Sequence, residues 1–154
     1  MLRITRKTLY ALEAVLDIAY HARPDPVQAK EVADRQGIPQ RYLEQALQHL
    51  VRAGILRGVR GPRGGYRLAR ERRRITAGEI MRLVAQMEIE EQTADDGLPK
   101  LVSALGAQVA SPILERIQNE VMSRLDTISL EDLCRDADQL GLAGLTRAKP
   151  DFTI

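Results

Sequence analysis

The 154-residue sequence predicts a mainly α-helical chain carrying one β-hairpin, on three observations. Apolar residues recur at three- and four-residue spacing over long stretches, the period of amphipathic helices. Two such stretches meet across Gly37-Ile38-Pro39, the tight Gly-containing turn of a helix-turn-helix. Directly after them come two short strand-like segments joined by Gly61-Pro62-Arg63-Gly64-Gly65. Together these describe a winged helix-turn-helix, three helices plus a two-stranded β-wing, followed by a long dimerisation helix.

The first helix spans residues 5–22, with Leu9, Leu12, Val15, Leu16 and Ala19 on its apolar side and Thr5 or Thr8 as its cap. Arg23-Pro24-Asp25-Pro26 ends it. The second helix covers 27–36 and closes on Gly37, and the third covers 39–53 with Pro39 in its first turn. Strands follow at 55–60 and 66–69, then a basic run from Arg70 to Arg74 that reads as a solvated skirt. Thr76-Ala77-Gly78-Glu79 is a capping box opening a helix that reaches about Met87. Residues 88–97 read as an acidic loop and 98–105 as a short helix. Ser111-Pro112 opens a longer helix on which Leu114, Ile117, Val121, Leu125 and Ile128, at steps of 3, 4, 4 and 3, form a narrow seam for a paired helix. Ser129-Leu130-Glu131-Asp132 caps a last short helix. The expected organisation is a DNA-binding winged helix-turn-helix over 1–75, a helical dimerisation and sensing region over 76–147, and a flexible tail over 148–154.

The net charge of +2 hides an asymmetry. Residues 1–74 hold 16 basic and 7 acidic side chains, a net +9, whereas the remainder carries −7. A basic half joined to an acidic half suits a polyanion-binding module carried by a second module. The chain has no run approaching the ~20 apolar residues of a membrane span, and its start lacks the pattern of a signal peptide, so a cytoplasmic location is expected. A single cysteine, Cys134, leaves no disulfide framework and no thiolate-only metal site. No nucleophile elbow, His-Glu-x-x-His or clustered metal ligand set is present, so no enzyme is expected.

Double-stranded DNA is the expected partner. On the third helix, Leu43, Ala46, Leu47 and Leu50 share one side, and Gln40, Arg41, Glu44, Gln45, Gln48 and Arg52 share the other. Arginine pairs with guanine, glutamine with adenine, and glutamate accepts from the cytosine amino group. Residues near the start of a recognition helix go deepest, which favours Gln40, Arg41, Glu44 and Gln45 as base-proximal. On the wing, Arg60 and Arg63 suit a narrow minor groove, while Gly64 and Gly65 let the backbone approach a phosphate ribbon. Thr5, Lys7 and Tyr10 at the start of the first helix, with Tyr42 from the third, are candidates for holding phosphate. The alternative reading is a protein-interaction module with weak or lost DNA binding, which has little need for +9 on the winged half.

Five stretches also carry a resemblance: Thr5-Arg6-Lys7-x-x-Tyr10-Ala11-Leu12, Arg35-Gln36-Gly37-Ile38, Tyr42-Leu43-Glu44-Gln45, Gly54-Ile55-Leu56, and the wing from Val59 to Ala69. With Ile128-Ser129-Leu130-Glu131-Asp132-Leu133, they make residues 1–138 resemble the Rrf-type family of bacterial winged helix-turn-helix transcription regulators (IscR/NsrR/CymR-like). The resemblance implies a homodimer with crossed long helices, each subunit presenting a recognition helix and a wing to a dyad-symmetric operator; a repressor is the expected role. It implies that positions 41 and 44 face bases and that Arg60 enters the minor groove. Arg41 stands where a serine-like residue is common, and Arg63 replaces a wing glycine. Many relatives hold an iron–sulfur cluster with three cysteines before the dimer helix; residues 87–110 contain none, with Gln108 and Ser111 near positions where such relatives have a cysteine and a histidine. A conventional three-cysteine cluster is therefore excluded, a cluster through Cys134 is not favoured, and no cofactor is expected. Cys134 reads as a small buried hydrophobe. The operator, the regulated genes and the effector or partner protein are left open.

Overall fold

The computed structural model describes residues 3–92 and 103–142. The helix expected over 98–105 falls mostly outside them, as does the tail from 148. Ten short elements build the described part. Helix α1 (Arg6–His21) starts on a capping box in which the Thr5 hydroxyl accepts from the Thr8 N–H and the Thr8 hydroxyl accepts from the Thr5 N–H. Its buried side is Ala11, Ala14, Val15, Ile18 and Ala19. Leu9, expected there, is 53% exposed, because the helix turns its small alanines toward its neighbours.

Helix α2 (Ala29–Gln36) begins two residues later than the pattern suggests. Val27 is used otherwise: its N–H donates to the Tyr66 carbonyl at 2.9 Å and its carbonyl accepts from the Tyr66 N–H at 2.7 Å. This adds a single antiparallel bridge at the edge of the wing, whose strands β1 (Leu56–Val59) and β2 (Gly65–Leu68) pair in antiparallel register, Leu56 opposite Leu68 and Val59 opposite Gly65. Gly37 closes α2 in the left-handed region (φ +66°), and α3 (Gln40–Arg52) starts directly after Pro39, which occupies the N-cap rather than the first turn.

Leu43, Leu47 and Leu50 of α3 join Val15, Ile18, Val32, Ile55, Leu56 and Ile75 in one core. Burying each such side chain contributes about 1.5–3 kcal/mol. The same cluster takes Ile80 and Val84 from α4 (Ala77–Glu91) and Leu130 and Cys134 from α6 (Leu130–Gln139), so the core runs on past residue 75. Two backbone bonds tie the later elements in: Ala77 N–H to Ile128 carbonyl and Leu130 N–H to Ile75 carbonyl.

Three expectations change here. Helix α4 continues a full turn beyond Met87, so Glu88 to Glu91 are helical and not loop. Helix α5 (Ser111–Asp126) has no cap at Ser111; a π-turn over Gly106–Ala110 leads into it with helical backbone. Two members of the basic run are pins, not a solvated skirt. Arg70 donates to the Gly54 and Arg74 carbonyls and to Glu79, and Arg72 donates to the Ala19 carbonyl while lying over the Tyr20 ring. Helix α5 packs on α4 through buried Met122 and a bidentate Arg82–Asp126 pair at 2.7 Å. Hydrogen bonding from Arg82 holds the Asp126 carboxyl below the usual range.

Candidate nucleic-acid interface

The four buried apolar residues of α3 decide which side of it faces out. Gln40, Arg41, Glu44, Gln45, Gln48 and Arg52 are all exposed, in keeping with the period-based reading. The Gln40 amide donates to the Glu44 carboxylate at 3.2 Å, so these two present a joined acceptor edge. Arg41 makes no hydrogen bond or ion pair among the described residues, leaving its whole donor fork available.

The wing tip is a turn in which the Gly64 N–H donates to the Gly61 carbonyl at 2.9 Å. Arg60 and Arg63 on that turn are exposed, and neither has a partner among the described residues. The glycines behind them answer to the protein's own backbone. A Cβ on Gly64 would sit 2.3 Å from the Val59 carbonyl oxygen, and one on Gly65 would sit 2.4 Å from that of Val27. Both positions close the hairpin, so the close-approach argument needs no phosphate. Cross-strand pairing sets Arg57 opposite Arg67. Arg67 is drawn off to the Pro24 carbonyl at 2.9 Å, whereas Arg57 is exposed without a partner among the described residues. Arg57 is thus a further candidate phosphate contact that the sequence reading missed. An arginine in a strand leading to a basic wing tip was the available signal; alternation sets it on the face shared with Arg67.

The start of α1 lies against α3. Tyr10 and Tyr42 stack at 5.9 Å between ring centroids, tilted by 49°. The Tyr42 hydroxyl donates its proton to the Lys7 carbonyl at 2.7 Å. Burial, with Glu88 and Glu91 nearby, pushes that phenol up to about 12. In this structure the Tyr42 proton is committed to the Lys7 carbonyl, so Tyr42 joins α1 to α3. Lys7 Nζ is 5.9 Å from the Tyr42 ring and forms an ion pair with Glu91. The Thr5 hydroxyl donates to Glu88 at 3.0 Å, and His49 Nε2 lies 3.9 Å from Glu90. Three carboxylates from the last turn of α4 therefore meet the candidate phosphate contacts and the end of α3.

The seam of α5 is only partly covered. Leu114, Ile117 and Val121 are 46%, 49% and 37% exposed, together with Ile113, and Leu125 is half-buried; Ile128, expected on the same seam, lies beyond the end of α5, where its carbonyl accepts from the Ala77 N–H. Cys134 is buried among α1 and α6, and burial pushes its thiol up. Among the described residues, no three His, Cys, Asp or Glu side chains gather as metal ligands, and no helix is long and apolar enough to cross a membrane.

Comparison with known proteins adds the following. Residues 4–136 match a family model described as Rrf2, an iron-dependent transcriptional regulator. The chain is 34% identical over 143 residues to the HTH-type transcriptional regulator IscR of Xenorhabdus nematophila, covering 92% of this chain and 85% of that protein. It superposes on the solved structure of T. potens IscR with a TM-score of 0.68 at 34% identity, over 90% of each chain. It superposes on CymR, the global cysteine regulator of B. subtilis, with a TM-score of 0.66 at 30% identity, over 88% of this chain and 98% of that one.

Proposed function

Because the chain belongs to the Rrf2 family of DNA-binding transcriptional regulators, we propose that it is a repressor that binds a dyad-symmetric operator as a homodimer. The observation that carries this reading is the unpartnered arginine set, Arg41 on the exposed side of α3 with Arg60 and Arg63 on the wing tip, in the half of the chain that bears +9. Arg41 and the Gln40–Glu44 pair read base edges in the major groove. Arg60 enters the flanking minor groove, and Arg57 and Arg63 hold phosphate. The exposed Leu114, Ile117 and Val121 pair with the same residues of a second copy. Two recognition helices about 34 Å apart then fit half-sites one DNA turn apart.

The protein acts in the cytoplasm without an iron–sulfur cluster. The matched family is described as iron-dependent, but the donor set here does not fit a thiolate-ligated cluster. The sequence has one cysteine, and its thiol is enclosed in the core with deprotonation disfavoured, whereas a metal ligand must be a thiolate.

Selection of genomic DNA fragments by the purified protein across a salt series tests the reading. Enrichment of a palindromic site, with affinity falling steeply as salt rises, is the expected result. Weak, sequence-independent retention alone would favour a protein-interaction module instead.

A further inference from the structure

We propose that the last turn of α4 is an acidic latch: Glu88 and Glu91 occupy Thr5 and Lys7 and compete with the DNA backbone for them. The proposal rests on the reading of Thr5 and Lys7 as phosphate contacts and adds how their availability is set.

Five observations converge on it. The Thr5 hydroxyl proton is committed to Glu88 at 3.0 Å, and the Lys7 ammonium is paired with Glu91. Glu88 and Glu91 are three residues apart on one helix, so a single turn presents both carboxylates in the same direction. The first turn of α1 has no acidic residue of its own, so the negative charge beside its partial positive end comes from α4. Tyr42 bonds the Lys7 carbonyl, which ties the state of this contact to α3 itself. On the α3 side of the same turn, Glu90 lies 3.9 Å from His49, beside a cleft of about 300 Å³ lined by Gln45, Gln48, Met87 and Glu91.

A phosphate approaching Thr5 and Lys7 must displace one carboxylate oxygen from each and meets their negative charge before it does so. Lys7 and Glu91 keep 39% and 44% of their side-chain surface in water, which makes the pair weak enough to exchange. Movement of the end of α4 away from α1 releases both contacts together, and DNA affinity then follows the position of that turn.

The test measures binding to a labelled 30-base-pair duplex of mixed sequence at about 0.1 M salt, since the contacts concerned are to phosphate. Glu91→Gln is expected to tighten binding about twofold to fivefold, the range of an exposed ion pair. Glu88→Gln is expected to act in the same direction. Asp136→Asn, an equal charge change at an exposed position on α6, is expected to do clearly less. In a Lys7→Met background the gain from Glu91→Gln is expected to vanish. A gain that persists there, or that Asp136→Asn equals, would mean general electrostatics and would overturn the latch while leaving DNA binding intact. Weaker binding by the glutamine variants would make the carboxylates supports rather than competitors, and would overturn it too. Retention of the variants but not the wild type would support it strongly. Retention of neither would remove the DNA reading and the latch with it.

Discussion

The Asp17 carboxylate on α1 receives both the Nε and an Nη of Arg35 from α2, at 2.9 and 2.8 Å. Asp17 is fully enclosed, and Arg35 keeps 20% of its side chain in water. Gln36 donates to the same carboxylate at 2.8 Å, and His21 closes the fourth side from the next turn of α1. The angle between the first two helices, and so the base on which α3 sits, is held by this ionic clamp as well as by apolar packing. A bidentate arginine suits the task because its planar fork fixes direction as well as distance.

Removing Arg35 leaves an enclosed carboxylate short of its main partner. Arg35→Met is expected to lower unfolding stability by about 3 kcal/mol. Asp17→Asn in the Arg35→Met background should recover part of that loss, because the uncompensated charge is gone. Urea denaturation of the single and double variants measures both, and a double variant less stable than Arg35→Met would refute the clamp.

Arg41→Ala is expected to cost about 1–3 kcal/mol of operator affinity and to relax preference at one base position. Arg63→Ala, at a proposed phosphate contact, should instead weaken binding across sequences and lower the salt slope by about 1. Fluorescence anisotropy over a salt series separates the two. Unchanged binding by both variants would remove these residues from the interface.

In the proposed homodimer, a carboxylate placed on the exposed seam would oppose its copy across the two-fold axis. Ile117→Glu is expected to weaken self-association about 100-fold. Sedimentation velocity is expected to show a dimer for the unmodified chain and a monomer for the variant at the same concentration, with helical content unchanged.

Cys134 is expected to resist a water-soluble thiol reagent at pH 8 in the folded protein and to react fully in urea. Burial disfavours the thiolate that does the chemistry. Fast labelling of the folded chain would reopen a redox or ligand role for it.

The Arg82–Asp126 pair predicts a pH dependence with a definite sign. The folded-state pKa of Asp126 lies below its unfolded value, so its contribution is present above the usual carboxylate range and fades as pH falls through the folded value. The stability difference between wild type and Asp126→Asn should therefore shrink toward strongly acid pH. A difference that grows on acidification would contradict the assignment.

Much of the site was legible without coordinates. The period of Leu43, Leu47 and Leu50 necessarily sends Arg41, Glu44 and Gln45 outward, because one helix has only one apolar side. The Gly-Pro tip placed Arg60 and Arg63 on a turn for the same local reason. The end of α4 was less accessible: read along the chain, Glu88 to Glu91 is simply an acidic stretch, and only contact with α1 and α3 extends the helix over it. The bond from Tyr42 to the Lys7 carbonyl was not legible at all, because no sequence pattern states which partner takes a hydroxyl proton 35 residues away.

The sequence by itself determined the order of elements, the apolar faces and the division of charge, since caps, turns and periodicity act within a few residues. Tertiary structure decided that Val27 pairs with Tyr66, that Gly65 answers to Val27, that Arg70 and Arg72 are pins, and that acidic residues near position 90 meet the start of α1. Each of these joins groups far apart in sequence, and such contacts exist only once a common core has fixed the distances between helices.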